Sequence, residues 1–126
     1  MQTVHRDAWA NPSSLHGYGL AAAEALERAR QKICTALGAV SDELVVTSGA
    51  TESVHLALLG STALSKPGRV VISAVEHPAV EAAAARLSQL GWQVQIWPVG
   101  PDGQLNMDLL EEMLAPPTQL VSLNWG

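Results

Sequence analysis

The segment RVVISAVEHPAVEAAAARLSQLGWQVQIW, from Arg69 to Trp97, decides the fold. It opens with a β-branched run over Arg69–Ser73 and continues into a stretch whose apolar spacing predicts a helix from Pro78 to Leu90. A second β-rich run, Trp92–Trp97, follows the turn at Gly91. A strand, a helix and another strand in this order are typical of a βαβ unit with two parallel strands.

The same alternation extends to both sides of this segment. The remaining predicted elements are a loop over 1–16, a helix over Gly17–Leu37 that ends at Gly38, a strand over Glu43–Thr47, a helix over Leu56–Leu64, a helix over Met107–Leu114 and a strand over Gln119–Leu123. This pattern predicts an α/β fold with a mostly parallel sheet flanked by helices. No internal boundary is visible, so residues 1–126 are interpreted as one domain.

The content of charged residues and the net charge indicate which kinds of partner the chain can bind. Charged residues make up 15% of the chain, against about 25% in typical soluble domains, so we expect part of the surface to be covered by further chain or a partner. The net charge of −5 and the scattered basic residues argue against nucleic acid as a partner. The start of the chain has no signal-peptide pattern, and no apolar run approaches the length of a membrane span. We therefore expect a soluble, cytoplasmic protein.

The single cysteine and the histidines do not suggest a redox or metal site. Cys34 lies on the apolar side of the first predicted helix, so it is interpreted as a small buried hydrophobe and not as a nucleophile. The four histidines are dispersed, and no paired-cysteine or H-E-x-x-H motif is present, so no metal site is predicted.

The segment Thr47-Ser48-Gly49-Ala50-Thr51-Glu52-Ser53 places small residues between a predicted strand and a predicted helix. Backbone amides at a helix start bind anions well, and the hydroxyl of Thr51 adds a donor, so the turn suits a phosphate. The alternative is purely structural: Gly49 and Ala50 permit a tight turn and Ser48 caps the helix.

The segment Glu76-His77-Pro78-Ala79-Val80 follows the next predicted strand. His77 stands at the carboxyl end of that strand, just before a helix that Pro78 can open, and therefore faces the same sheet edge as the phosphate turn. A histidine there can stack on a flat heteroaromatic cofactor and exchange protons near neutral pH. The alternative is a loop histidine that only caps or packs.

Two further segments have ordinary explanations. Asn11-Pro12-Ser13-Ser14-Leu15-His16 offers amide, hydroxyl and imidazole groups, or simply a capped helix start. Gly17-Tyr18-Gly19-Leu20-Ala21-Ala22 has the letters of a dinucleotide fingerprint, but no strand is predicted before it. A nucleotide-binding αβ domain is kept as an alternative, to be tested by NAD titration.

Taken in order and spacing, these motifs resemble the cysteine desulfurases among the class-V aminotransferases. The matching residues are Asn11-Pro12-Ser13-Ser14-x-His16-x-x-Gly19, Ala29-Arg30, Thr47–Ser53 and Glu76–Val80. The asparagine-proline-serine-serine loop is similar to the branch that supplies sulfur for iron–sulfur clusters and thiolated tRNA. The resemblance runs from about Ala10 to the end of the chain.

The resemblance implies a fold-type I large domain, pyridoxal phosphate as cofactor and a homodimer. It implies that Ala50 and Thr51 bind the cofactor phosphate, and that His77 stacks on the pyridine ring and is a catalytic residue. The implied reaction takes sulfur from L-cysteine, leaves L-alanine and passes the sulfur to an enzyme cysteine as a persulfide. A sulfur-acceptor or scaffold protein is the implied partner, without direct nucleic-acid or membrane binding.

Departures from the family pattern limit this expectation. The family's Schiff-base lysine, pyridine-facing aspartate, persulfide cysteine and substrate arginine would lie beyond Gly126, and neither Lys32 nor Lys66 matches that lysine. His55 stands where the family usually has asparagine. We therefore expect an N-terminal piece of the large domain, incomplete at both ends, with no turnover of its own. The alternatives are a related class-V enzyme such as a selenocysteine lyase, and a non-catalytic, partner-binding remnant.

Overall fold

A computed structural model describes residues 2–40 and 43–125. Residues 1–46 and 47–126 form two compact units, and each unit is described separately below.

Among its described residues, the first unit contains two helices, α1 (Gln2–Asp7) and α2 (Gly17–Leu37). The predicted bounds of α2 are confirmed: the chain leaves the helix at Gly38, whose φ of 68° is left-handed and whose amide donates to Cys34 O. The prediction of loop throughout 1–16 was wrong, because Gln2–Asp7 is helical. Six residues of modest helix propensity do not form a stable helix alone, but α1 packs against α2, and this tertiary contact stabilises it.

The predicted strand Glu43–Thr47 is also absent from the described structure, where 44–47 have no regular secondary structure and no ladder partner. Val45 and Val46 are exposed, with 69% and 57% of their surface accessible. A β-branched run forms a strand only where a neighbouring strand can accept its hydrogen bonds. The residues of this segment favour a strand, but no neighbouring strand among the described residues pairs with it.

The second unit is built on three parallel strands, β1 (Arg69–Ser73), β2 (Gln93–Trp97) and β3 (Thr118–Ser122), in the order β2-β1-β3. These strands agree with the predicted ones within one residue at each end. The central strand is covered on both faces, so Val70, Val71 and Ile72 are all buried. The predicted α/β fold with a parallel sheet and flanking helices is confirmed.

Alternation along β1 separates two apolar clusters. Val70 and Ile72 pack with the first helix after β1, α4 (Pro78–Gln89), through residues such as Val80 and Leu87. Val71 points to the other face, where it packs with Trp97 and Met113. The indole of Trp97 donates to Asn106 O at 2.8 Å, which satisfies its polar atom inside this cluster.

Two predicted helices differ in detail from the observed ones. The helix predicted over Leu56–Leu64 begins earlier, as α3 (Ala50–His55), and continues as a π-helical turn over Leu56–Gly60. Its first turn carries polar residues because it is exposed, so apolar periodicity did not reveal it. The helix predicted over Met107–Leu114 is a 3₁₀ turn, Met107–Leu109, followed by α5 (Leu110–Leu114).

Arg69 joins the amino ends of the strands, on the edge of the sheet away from His77. Its Nε donates to Thr118 Oγ1 at 2.6 Å, and its Nη1 donates to Gln95 Oε1 at 3.0 Å. Its Nη2 donates to Glu112 O and Ala115 O, both at 2.7 Å, at the carboxyl end of α5. One guanidinium thus ties β1 to both neighbouring strands and satisfies helix-terminal carbonyls.

None of the helices in the described part of the chain combines the length and the apolar character required to cross a membrane.

Candidate active site

Ala50 and Thr51 are the first two residues of α3, and both are exposed. Gly49 is the N-cap residue, with extended backbone and no side-chain hydrogen bond to the helix. The amides of a first helical turn have no acceptor within the helix, and their dipoles point outward. The Ala50 and Thr51 amides and the Thr51 hydroxyl therefore form a donor set that fits a phosphate dianion.

Glu52 organises the turn that precedes α3. Its Oε2 accepts the amide of Ser48 at 2.6 Å and the hydroxyl of Ser48 at 2.7 Å. These two bonds, the backbone bond more than the hydroxyl bond, hold the pKa of the Glu52 carboxyl below its ordinary value. The alternative in which Ser48 caps the helix was wrong: Gly49 occupies the N-cap position, and the Ser48 hydroxyl donates to Glu52 instead.

Hydroxyl groups close the same turn from the other side. Thr47 Oγ1 lies 2.7 Å from Ser53 Oγ and donates to Gly49 O at 3.2 Å. Thr47, Ser48, Glu52 and Ser53 therefore bond to one another or to the turn, while Ala50 and Thr51 at its apex stay accessible. The loop shape does not depend on an anion to hold it.

His77 is the N-cap residue of α4, and Pro78 opens the helix as predicted. The Nδ1 atom of His77 accepts the amide of Ala79 at 3.1 Å. An acceptor nitrogen carries no proton, so the neutral ring has its proton on Nε2. The capping role and a stacking role are compatible, because Nδ1 is used for the cap and the residue is exposed.

Sequence reasoning missed a polar cluster behind His77, at the carboxyl ends of β1 and β3. Glu76 Oε1 accepts the hydroxyl of Ser73 at 3.1 Å and the hydroxyl of Ser122 at 3.3 Å. Asn124 Nδ2 donates to Val75 O at 3.1 Å. These contacts fix the turn between β1 and α4. The sequence did contain a signal for this cluster, because Ser73, Glu76 and Ser122 lie at or just after the carboxyl ends of two predicted strands.

The phosphate turn and His77 lie in the same unit, on helices that touch. Val54 and Leu59 pack on the cluster that contains Val80, and His55 Nε2 lies 3.2 Å from Ala79 O. A cavity of about 390 Å³ lies elsewhere, on the loop from Pro98 to Asp108, and includes none of the predicted site residues.

The other predicted features lie in the first unit. Asn11 Oδ1 accepts the amide of Ser13 at 2.9 Å, and His16 Nδ1 accepts the amide of Gly19, so this loop caps α2. A Cβ atom at Gly19 would collide with Ser14 O, which gives that glycine a packing reason unrelated to nucleotide binding.

Cys34 is buried, as predicted, and its thiol donates to Val40 O at 3.3 Å. Among the described residues, no group of histidine, cysteine and acidic side chains is arranged to hold a metal ion.

Comparisons with known proteins give one consistent result. The family model described as Aminotransferase class-V matches residues 1–126. The chain is 39% identical over 125 residues to "Cysteine desulfurase IscS" of Dictyoglomus turgidum; the match covers 98% of this chain and 32% of that protein. The chain thus spans about a third of the length of this curated relative.

Solved structures give the same result. A "NIFS-LIKE PROTEIN" superposes with a TM-score of 0.83 at 31% identity, covering 97% of this chain and 34% of that one. A structure titled "SspA in complex with cysteine" superposes with a TM-score of 0.81 at 31% identity, covering 97% of this chain and 36% of that one. These likenesses confirm the resemblance that the motifs indicated.

Proposed function

Because the chain belongs to the class-V aminotransferase family, we propose that it supplies the phosphate-binding turn and the ring-stacking histidine of a pyridoxal-phosphate-dependent cysteine desulfurase. The proposed overall reaction converts L-cysteine to L-alanine and passes the sulfur on. The observation that carries the proposal is the pairing, in one unit, of an uncapped helix start at Ala50 and Thr51 with His77 at the start of the adjoining helix.

Each proposed site residue has a defined task. The Ala50 and Thr51 amides and the Thr51 hydroxyl hold the cofactor phosphate, while the Glu52 carboxylate is kept bonded to Ser48. Because the Glu52 carboxylate bonds to Ser48, it does not compete for the amides of Ala50 and Thr51, which remain available to the cofactor phosphate.

His77 positions the cofactor ring. Its Nδ1–Ala79 bond fixes the imidazole at the end of β1, so that one face can stack on a flat ring and Nε2–H can donate to a group at its edge. Pyridoxal phosphate is the cofactor of the family, and when bound it supplies an electron sink for chemistry next to the substrate amine.

Substrate and partners are inferred from the relatives. Several similar proteins are named cysteine desulfurases, and the neighbour SspA is in complex with cysteine, which supports L-cysteine as substrate. A sulfur-acceptor or scaffold protein, a homodimeric assembly, a role in iron–sulfur cluster synthesis and a cytoplasmic location complete the proposal. Neither Lys32 nor Lys66 corresponds to the family's Schiff-base lysine, so we expect no alanine formation from cysteine by this chain alone.

The phosphate turn can be tested by titrating the purified chain with pyridoxal phosphate while following its absorbance and the tryptophan fluorescence. Thr51→Val removes the hydroxyl with little change of shape, so we expect an apparent Kd raised by roughly ten- to a hundredfold, the effect of losing one hydrogen bond to a charged group. Thr35→Val is the matched control, because Thr35 is an exposed threonine on α2 whose hydroxyl bonds to Gln31 O. Equal affinity in Thr51→Val and the wild type would contradict the proposed phosphate contact.

A further inference from the structure

His55 occupies the end of α3 and reaches the beginning of α4. Its Nε2 lies 3.2 Å from Ala79 O. A carbonyl oxygen only accepts hydrogen bonds, so Nε2 must carry a proton and donate. The side chain is half-buried between the two helices, and Ala79 is buried with 7% exposure.

The same alanine is bonded to a second histidine. The Ala79 amide donates to His77 Nδ1, while the Ala79 carbonyl accepts from His55 Nε2. The amide and the carbonyl of buried Ala79 are therefore each bonded to an imidazole, that of His77 and that of His55. A shift of the first turn of α4 away from α3 therefore lengthens the bond to His55 and carries Ala79 and the His77 ring with it.

His55 is also aligned with the phosphate turn. Thr51 and His55 are four residues apart in α3, so they lie on the same face of that helix, one turn from each other. The chain of contacts thus runs from Thr51 along α3 to His55, then through Ala79 to His77.

We propose that His55 is a positioning residue: its bond to Ala79 fixes the start of α4 against α3, and so sets the orientation of the His77 ring relative to the Thr51 turn. Its importance for cofactor binding rests on the proposed function, whereas the contact itself is observed in this chain. Neither the phosphate donors nor the ring that stacks would be altered by a change at position 55.

The length of the side chain provides a sharp test. A glutamine places its amide nitrogen about as far from the backbone as Nε2 of histidine, so His55→Gln keeps the donor to Ala79. His55→Asn introduces the residue that the family usually has, with the same amide one methylene shorter, so at the spacing of α3 and α4 in this chain it falls short of the carbonyl. His55→Leu fills the space without a donor. His55→Gln and His55→Asn therefore form a matched pair that carries the same amide group and differs only in the length of the side chain.

Two readouts do not require the cofactor. Amide exchange at Ala79 and the ¹⁵N shifts of the His77 ring are measured by NMR on the full chain in mildly alkaline buffer. We expect His77 to be the Nε2–H tautomer in the wild type and in His55→Gln. In His55→Asn and His55→Leu we expect mixed tautomers and roughly fivefold faster exchange at Ala79, as for the loss of one hydrogen bond.

Titration with pyridoxal phosphate then links the contact to function, with an apparent Kd expected to rise roughly fivefold in His55→Asn and not in His55→Gln. The proposal is overturned if Ala79 exchange and the His77 tautomer are unchanged in His55→Asn, or if His55→Gln behaves like His55→Asn. If the wild type binds no cofactor, the proposed function fails, and the NMR comparison still decides the role of His55. If His55→Leu does not fold, the glutamine–asparagine pair remains decisive.

Discussion

The carboxylate of Glu52 accepts both the amide and the hydroxyl of Ser48, at 2.6 and 2.7 Å, across the turn that begins α3. A negative charge near a helix start is favourable, and here it also closes the turn that presents Ala50 and Thr51. The two bonds stabilise the ionised carboxylate and make the turn sensitive to acid.

Protonation of Glu52 should therefore loosen the turn. The pKa of Glu52 is lower in the folded chain than in the unfolded one, so its stabilising contribution is complete above the unfolded pKa and is lost as pH falls through the folded pKa. We expect Glu52→Gln to be less stable than the wild type near neutral pH, with the difference vanishing in acid. Urea unfolding of both proteins as a function of pH measures this. A difference that persists at the lowest pH would show that shape, and not charge, is responsible.

Replacing Arg69 should destabilise the sheet. Its guanidinium donates to Thr118, Gln95 and two carbonyls at the end of α5. Arg69→Met leaves these acceptors without their donor, and we expect the free energy of unfolding to fall by about 2–3 kcal/mol. Arg69→Lys should restore only part of this, because an ammonium lacks the forked geometry.

Urea unfolding measures the effect at position 69. Arg86→Met is the control, since Arg86 is exposed and bonds only to Gln89 among the described residues. A loss of equal size in Arg86→Met would mean that total charge, and not the Arg69 contacts, controls stability.

Leu87 should be a sensitive core position. It is 1% exposed and lies in the cluster that joins α4 to β1. Leu87→Ala creates a cavity there, so we expect a loss of about 2–5 kcal/mol of unfolding free energy. Leu90→Ala is the matched control, because Leu90 is 51% exposed. Similar losses for the two variants would contradict the observed packing of α4.

The sequence predicted best where an element carries its own signal. Arg69–Ser73 is a continuous β-branched run between turn residues, and its bounds agree with the observed strand. Pro78 marks the start of α4 in the same direct way. Glu43–Thr47 has an equally good local pattern but no ladder partner among the described residues, so local propensity gave a wrong strand.

The residues proposed for the site show the same difference between local and long-range signals. His77 and Thr51 stand at element boundaries visible in the sequence, and the structure places them on adjoining helices. Glu76 was missed as a contributor because its partner Ser122 is 46 positions away in the chain, and only the parallel pairing of β1 and β3 brings the two together. Contacts of this kind depend on strand order, which periodicity does not reveal.

Glu76 should control the rigidity of the turn that carries His77. It is half-buried, and its carboxylate accepts hydroxyls from both Ser73 and Ser122. Glu76→Ala leaves both hydroxyls without this acceptor, so we expect amide exchange at Val75, Glu76 and His77 to become roughly fivefold faster or more. Glu76→Gln keeps an acceptor oxygen and should recover much of the protection.

Glu81→Ala is the control for position 76, because Glu81 is an exposed glutamate in the first turn of α4. Hydrogen exchange read by NMR distinguishes local loosening from global loss, since amides of β2 should stay protected in Glu76→Ala. The same variant should weaken pyridoxal-phosphate binding by roughly fivefold, because a mobile turn lowers the fraction of chains whose His77 ring is correctly placed. Unchanged exchange at His77 in Glu76→Ala would show instead that the Nδ1–Ala79 bond alone is sufficient to hold the histidine.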